Sequence, residues 1–284
     1  MRRSRPAGKV DRRSTMAGTS PPIHAWLEQI YRRYHRPRYV GHDPLARVLV
    51  HDDPGDQEVS GLVAALLAYG NVKAILGGID DVMARLGSRP AGALAESRPA
   101  RLRRRFQDFR YRVTSAEQMT ALLLGVRTIR RRCGSLEAAF AAQVRPDDPT
   151  LVPAIGRWVD LITAAAGRPL PHLLPHPARG SACKRVMLYL RWMIRRDAID
   201  PGPWAALPRQ KLVVPLDTHL HRMAGRLGLT ARKSSDLKAA LEITGALARA
   251  APADPLRYDF ALTRPGILRD ESVWDTLPAV NAPA

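Results

Sequence analysis

The stretch that decides the fold is Lys211-Leu-Val-Val-Pro-Leu-Asp-Thr-His-Leu-His-Arg-Met-Ala-Gly-Arg-Leu-Gly-Leu229. An apolar run gives way at Asp217 to apolar residues at helical spacing, namely Leu220, Met223, Ala224 and Leu227. The pattern therefore predicts an amphipathic helix that begins at Asp217 and ends near Gly228. Asp217 is isolated, because no other acidic residue lies between Asp200 and Asp236.

Three explanations account for Asp217. It can cap the helix by accepting backbone N–H groups. It can bind a metal ion together with His219 and His221, although His219 would face away from the other two side chains on a helix. It can also be a catalytic carboxylate that stabilises a developing cation. The sequence around Asp217 leaves all three open.

The rest of the chain is also dominated by helical patterns. One helix is predicted before the break at Gly70-Asn71 and one after it, and a further helix is predicted to begin near Lys184. No alternation of period two is long enough to predict a sheet, and the chain is expected to be irregular after Leu262. We therefore predict an all-α protein with a disordered basic arm over residues 1–20, a helical domain over 21–270 and a flexible tail over 271–284.

Charge and composition favour a nucleic-acid partner inside the cell. The chain of 284 residues carries a formal net charge of +19 and is 45% hydrophobic, so it can bury a large core while attracting a polyanion. Arginines are densest between Arg101 and Arg132. Two cysteines do not suffice for a disulfide framework, and no apolar run is long enough to span a membrane. We expect a cytoplasmic, nucleoid-associated monomer that binds DNA, with RNA as the alternative, and not a membrane.

Lys184 begins a basic helical stripe. Arg191 and Arg195 follow at spacings that place them on the same side of the helix, and residues 179–196 contain no acid. A helix N-terminus and neighbouring cations both favour the neutral, nucleophilic form of a lysine amine. The alternative is an exposed or phosphate-binding lysine.

Several short blocks carry a resemblance to a known superfamily. Leu216-Asp-Thr-His-Leu-His-Arg222 and the upstream lysine resemble the helix-hairpin-helix DNA glycosylases, in which endonuclease III has a similar Val-Asp-Thr-His segment. The chain is more similar to the archaeal 8-oxoguanine glycosylases, which have a variant hairpin, and to an uncharacterised bacterial family of the superfamily. The blocks that carry this last similarity are 61–73, 180–185, 190–193, 215–228 and 258–262.

The resemblance implies a two-lobed helical fold with a variant helix-hairpin-helix, across which DNA lies with one base flipped out. By position, Lys184 would be the nucleophile and Asp217 the stabilising carboxylate of a base-excision enzyme with lyase activity on an oxidised base. The four-cysteine iron–sulfur motif is absent, so neither a cofactor nor a metal is expected. The residues expected to contact nucleic acid are Asn71, Gly180, Ser181, Arg185, Arg191, Arg195, His219 and Arg222.

Two other functions remain open from the sequence. The first is a non-catalytic DNA- or RNA-binding protein that keeps the fold and the charge. The second, more distant, is a metal-dependent hydrolase built on Asp217, His219 and His221. Gly70-Asn71 also has a structural explanation, since this pair commonly ends a helix.

Overall fold

A computed structural model of the chain describes residues 23–278, and these residues confirm an all-α fold. The arm predicted over residues 1–20 lies outside the described residues. The first six helices are α1 (Ile23–Tyr34), α2 (Pro54–Leu66), α3 (Val72–Leu86), α4 (Pro90–Glu96), α5 (Pro99–Arg105) and α6 (Ala116–Cys133). The next six are α7 (Leu136–Ala141), α8 (Val152–Ala166), α9 (Lys184–Ile194), α10 (Thr218–Arg226), α11 (Leu237–Ala250) and α12 (Asp259–Leu268).

Short 3-10 helices connect these elements. They span Pro37–Tyr39, Pro44–Arg47, Pro177–Arg179, Arg209–Lys211 and Glu271–Thr276. The described chain also contains one small hairpin, in which β1 (Arg110–Tyr111) pairs antiparallel with β2 (Thr114–Ser115). Strands of two residues are too short for an alternating pattern, which explains why the sequence did not predict them.

One hydrophobic cluster holds the helices together. It extends from Trp26 on α1 to Val273 near the end of the described chain. Helix α6 packs along α8, where Gly125 brings the backbones together: a Cβ atom there would lie 3.1 Å from the carbonyl oxygen of Ile162. Helix α9 packs on α2, and α12 packs on both α1 and α10. The N-termini of α9, which packs on α2, and of α10, which packs on α12, form the candidate site.

Helix starts follow the capping rules closely. Side chains of Asp53, Asn71 and Ser115 accept N–H groups from the first turns of α2, α3 and α6. Ser115 also completes a capping box with Gln118. The break predicted at Gly70-Asn71 is confirmed: Gly70 has φ +106°, and Asn71 begins the next helix.

The chain after Leu262 differs from the predicted irregular segment. Helix α12 continues to Leu268 with Pro265 inside it, because Phe260, Ala261 and Leu262 are buried and tertiary packing outweighs the proline. The segment Glu271–Thr276, predicted to belong to a flexible tail, forms a 3-10 helix. Val273 is buried, which fixes this segment against the core.

The described helices show no candidate for a membrane span, because none of them is both long and apolar enough.

Candidate active site

Lys184 is the first residue of α9 and follows a residue in an unusual conformation. Cys183 has φ 47°, in the left-handed region that side chains other than glycine rarely adopt. Its amide N–H donates to the hydroxyl of Ser181, and burial raises the pKa of its thiol to about 11. The thiol is therefore buried and protonated, and Cys183 serves to turn the chain so that Lys184 opens the helix.

Asp217 caps α10. Its Oδ1 atom accepts the backbone N–H of Leu220 at 2.8 Å, which fixes the carboxylate at the start of the helix. Aspartate is among the residues preferred as the N-cap of a helix. The capping explanation is confirmed, and it uses only one of the two carboxylate oxygens.

The second oxygen of Asp217 faces Lys184. The Nζ atom of Lys184 lies 4.0 Å from Oδ2 of Asp217, and the side chains are 39% and 20% exposed. The N-termini of α9 and α10 therefore bring an amine and a carboxylate together at a position open to solvent. At this distance and exposure the contact adds little to stability, about 0–1 kcal/mol.

Arg191 and Arg195 do not belong to this exposed site, which corrects their predicted role in nucleic-acid binding. They are only 4% and 2% exposed. The predicted stripe assumed that no acid neutralises these arginines, but acids distant in sequence do so. Arg191 binds Asp200 through Nε at 3.1 Å and Nη2 at 3.0 Å, while Arg195 binds Asp200 through Nη1 and Asp254 through Nε at 2.9 Å. Buried guanidinium groups with such partners cannot reach a phosphate.

Asp259 links this buried network to the candidate site. It is 1% exposed, and its Oδ2 atom accepts from Nη1 of Arg191 at 2.7 Å. Burial raises the pKa of Asp259 to about 6, and the carboxylates of Asp217 and Asp200 add to this effect, which Arg191 opposes. Its Oδ1 atom has no hydrogen-bond partner among the described residues. Asp259 is thus a buried carboxyl group within electrostatic reach of Asp217.

The loop before α9 presents Gly180 and Ser181 to solvent. Gly180 has φ 75°, and Ser181 forms an isolated bridge with Asp236 at the start of α11. Both residues remain accessible to a ligand.

Arg185, by contrast, is used inside the protein. Its guanidinium donates to the carbonyl oxygens of Leu66 and His172 and lies 5.0 Å from the ring centroid of Tyr69. Two of the guanidinium N–H groups are thus engaged inside the protein, and a contact of Arg185 with nucleic acid stays a prediction. Asn71 itself is exposed, and its Oδ1 atom is occupied by the N–H of Ala74.

His219 and Arg222 lie on α10 beside α12. Gly266 of α12 approaches them so closely that a Cβ atom there would lie 2.5 Å from Nδ1 of His219. Arg222 is exposed and its guanidinium lies 5.9 Å from the ring of Trp274. His221 points elsewhere, with Nε2 2.9 Å from the carbonyl oxygen of Arg232. Among residues 23–278, no group of three or more His, Cys, Asp or Glu side chains is placed to hold a metal ion.

Two residues of this region were not identified from the sequence. Asp259 stands within the block 258–262 as an acid among apolar residues, and this contrast is a usable signal of a buried charge pair. Trp274 lies in the segment predicted to be flexible, and its ring packs under Arg226 at 4.1 Å. A single tryptophan near the end of the sequence gave no comparable signal.

The two best-defined cavities of the described chain lie away from Lys184 and Asp217. One, of about 480 Å³, is lined by Arg32, Arg33, Arg36, Pro37 and Arg38. The other, of about 300 Å³, lies beside Tyr31 and Arg257. Neither of these two cavities is lined by Lys184 or Asp217.

Comparison with known proteins identifies one family. Its model matches residues 43–268, and its description reads protein of unknown function (DUF2400). No curated protein and no solved structure matches the chain. The matched region includes both Lys184 and Asp217 and excludes α1 and the segment Glu271–Thr276.

Proposed function

We propose that this chain, which belongs to the DUF2400 family, is a DNA glycosylase with lyase activity that uses Lys184 and Asp217. The observation that carries the proposal is the 4.0 Å approach of Nζ of Lys184 to Oδ2 of Asp217 at the N-termini of two helices. The net charge of +19 suits a DNA substrate. A two-lobed glycosylase-like fold with a variant helix-hairpin-helix, formed by the loop before α9, is part of the proposal.

The chemistry follows from the two groups. Lys184, as the neutral amine, uses its lone pair to form a bond to C1′ of a flipped nucleotide while the bond from C1′ to the base breaks. The base leaves with the bonding electrons and takes up a proton. Asp217 accepts the proton that Lys184 must lose, and its carboxylate stabilises the positive charge that develops at C1′. Opening of the sugar ring then gives a Schiff base, and loss of a C2′ proton expels the 3′ phosphate.

Because Asp217 caps α10, its carboxylate has a defined orientation for this role. One oxygen is held by Leu220 N–H, so the other keeps its direction toward Lys184 without rearrangement. A carboxylate fixed before the reaction stabilises a developing charge better than one that must reorient. The exposed residues Asn71, Gly180, Ser181 and Arg222, together with the half-buried His219, remain the proposed contacts to DNA.

Covalent trapping tests the proposal. Incubation with duplexes that contain an abasic site or an oxidised base, in the presence of borohydride, should reduce the Schiff base and leave protein attached to DNA. Lys184→Ala should abolish the adduct. Lys238→Ala is the matched control, because Lys238 is an exposed lysine in the first turn of another helix, α11, and its loss should leave trapping intact.

A non-catalytic nucleic-acid-binding function is the second candidate. The observation that favours it is the solvent exposure of the pair, since the side chains of Lys184 and Asp217 are 39% and 20% exposed. This function predicts DNA or RNA binding with a steep salt dependence that Asp217→Asn does not change. Binding of this kind, without adduct or base release from any lesion duplex, would replace the enzyme proposal by the second candidate.

A further inference from the structure

Four arginines surround the larger cavity, at the end of α1. Arg32 and Arg33 lie in the last turn of the helix, and Arg36 and Arg38 flank Pro37 in the 3-10 turn that follows. All four are exposed and line the cavity of about 480 Å³. We call this cavity the arginine cavity. It lies outside the blocks on which the candidate active site was predicted.

The carboxylates of the described chain neutralise only one of these arginines. Arg33 binds Asp270 at 2.7 Å. Arg36 donates through Nε to the carbonyl oxygen of Arg32 at 2.8 Å, and Arg38 donates to the hydroxyl of Tyr39 at 2.9 Å. Within residues 23–278, Arg32, Arg36 and Arg38 have no salt bridge.

The structural explanation for these arginines is incomplete. Cations near a helix C-terminus stabilise the helix, and the contact from Arg36 to the carbonyl of Arg32 is of this kind. The four arginines line one cavity, where their like charges repel each other. A multivalent anion between them would remove this repulsion. Guanidinium groups match phosphate geometry through paired N–H donors.

We propose that Arg32, Arg36 and Arg38 form a phosphate-binding site in the arginine cavity. The ligand chemistry is a phosphoanion, supplied either by the backbone of a nucleic acid or by a free polyphosphate. The site stands independently of the reaction at Lys184, since none of its residues contacts Lys184 or Asp217.

A chain of contacts connects the arginine cavity with the surface of the candidate site. Asp270, at the end of α12, holds Arg33. Trp274, four residues later, packs under Arg226 of α10. The segment that follows α12 thus extends from the arginine cavity to the basic face of α10. A nucleic-acid backbone that follows this segment would contact both the arginine cavity and α10.

Calorimetric titration of the full chain with inorganic tripolyphosphate tests the proposal. Saturable binding at one site per chain is expected, with affinity at least tenfold lower in the triple variant Arg32→Gln, Arg36→Gln, Arg38→Gln. The matched control is Arg89→Gln, Arg98→Gln, Arg249→Gln, which removes three exposed arginines that lie outside the arginine cavity and outside the arginine-dense segment 101–132, and it should retain the affinity. These side chains are all exposed, so both variants should melt like the wild type, which thermal unfolding verifies.

The source of the phosphate is distinguished by competition with undamaged duplex DNA. Displacement of tripolyphosphate by the duplex assigns the site to the nucleic-acid backbone, and retention assigns it to a free polyphosphate. The absence of saturable binding, or an equal loss in the two triple variants, would overturn the site. Failure of trapping at Lys184 has no bearing on this titration, so the two proposals can fail separately.

Discussion

Lys184 and Asp217 meet at the N-termini of two different helices, with 4.0 Å between the amine nitrogen and Oδ2 of the carboxylate. The same carboxylate caps α10 through Oδ1. Oδ1 of Asp217 therefore caps the helix, while Oδ2 faces the amine of Lys184. Substitutions that keep the cap but remove the negative charge test the two roles separately.

Asp217→Asn should lower the rate of adduct formation by about 10²–10³-fold, because a neutral amide cannot stabilise the developing charge at C1′. Its side-chain oxygen can still cap α10, so the free energy of unfolding should change by less than about 0.5 kcal/mol. Asp217→Ala removes the cap as well and should cost about 1 kcal/mol. Single-turnover trapping and urea denaturation measure the two quantities. Equal stability of the Asn and Ala variants would contradict the capping role.

Arg191→Ala should destabilise the protein by about 3–5 kcal/mol, because it leaves the buried carboxylate of Asp259 without its ion-pair partner and leaves Asp200 with Arg195 alone. Arg222→Ala, on the exposed face of α10, should change the free energy of unfolding by less than about 0.5 kcal/mol. Its effect should appear in DNA binding, where loss of one phosphate contact reduces the salt-dependence slope by about 0.9. If Arg191→Ala weakened DNA binding without lowering the free energy of unfolding, Arg191 would belong to the DNA-binding surface. Chemical denaturation and fluorescence anisotropy supply the measurements.

Asp259 should make the free energy of unfolding depend on pH. Burial raises its pKa to about 6, above the ordinary aspartate pKa of about 3.9, so the folded chain retains a proton that the unfolded chain releases. The folded state therefore binds more protons between these values, and stability falls as pH rises from about 4 to about 6, by an amount on the order of 3 kcal/mol. Asp259→Asn should abolish this contribution. Asp52→Asn, at an exposed carboxylate, should retain it, and an unchanged profile in the Asp259 variant would refute the assignment.

Two glycines in helices should respond oppositely to alanine. At Gly125 a Cβ atom would lie 3.1 Å from backbone atoms of α8, so Gly125→Ala should push α6 from α8 and cost about 1–3 kcal/mol. Gly77 is exposed within α3 and has no atom within 4 Å of the added Cβ. Gly77→Ala should stabilise the protein by about 0.4–1 kcal/mol through helix propensity. Thermal unfolding of both variants compares them directly.

Local patterns were sufficient to predict much of this fold. The apolar spacing after Asp217 predicted α10 and its cap, and Gly70-Asn71 marked the junction of α2 and α3. These features depend on residues within one or two turns of each other, so the sequence contains their cause. The same reasoning failed for α12, which continues to Leu268 with Pro265 inside it, although the chain was predicted to be irregular after Leu262.

The charges show why the candidate site was predicted only in part. Helical spacing placed Arg191 and Arg195 on one stripe, but their partners Asp200, Asp254 and Asp259 come from other segments. Neutralisation between segments distant in sequence cannot be read from a local run of residues. Asp217 and Lys184, in contrast, were singled out as a pair by the resemblance, and their proximity depends on the packing of α9 and α10 around the shared core.

The contact of α1 with the segment after α12 has a consequence for the motion of the molecule. Trp26 Nε1 donates to Thr276 at 3.2 Å, and Tyr34 donates to Asp270 at 2.6 Å, so both ends of the described chain secure each other. They should open together as one cooperative unit, ahead of the α6–α8 core, and amide hydrogen exchange should show a common opening free energy for both. Each such event would dismantle the arginine cavity, and a phosphoanion bound there would slow exchange at both ends at once.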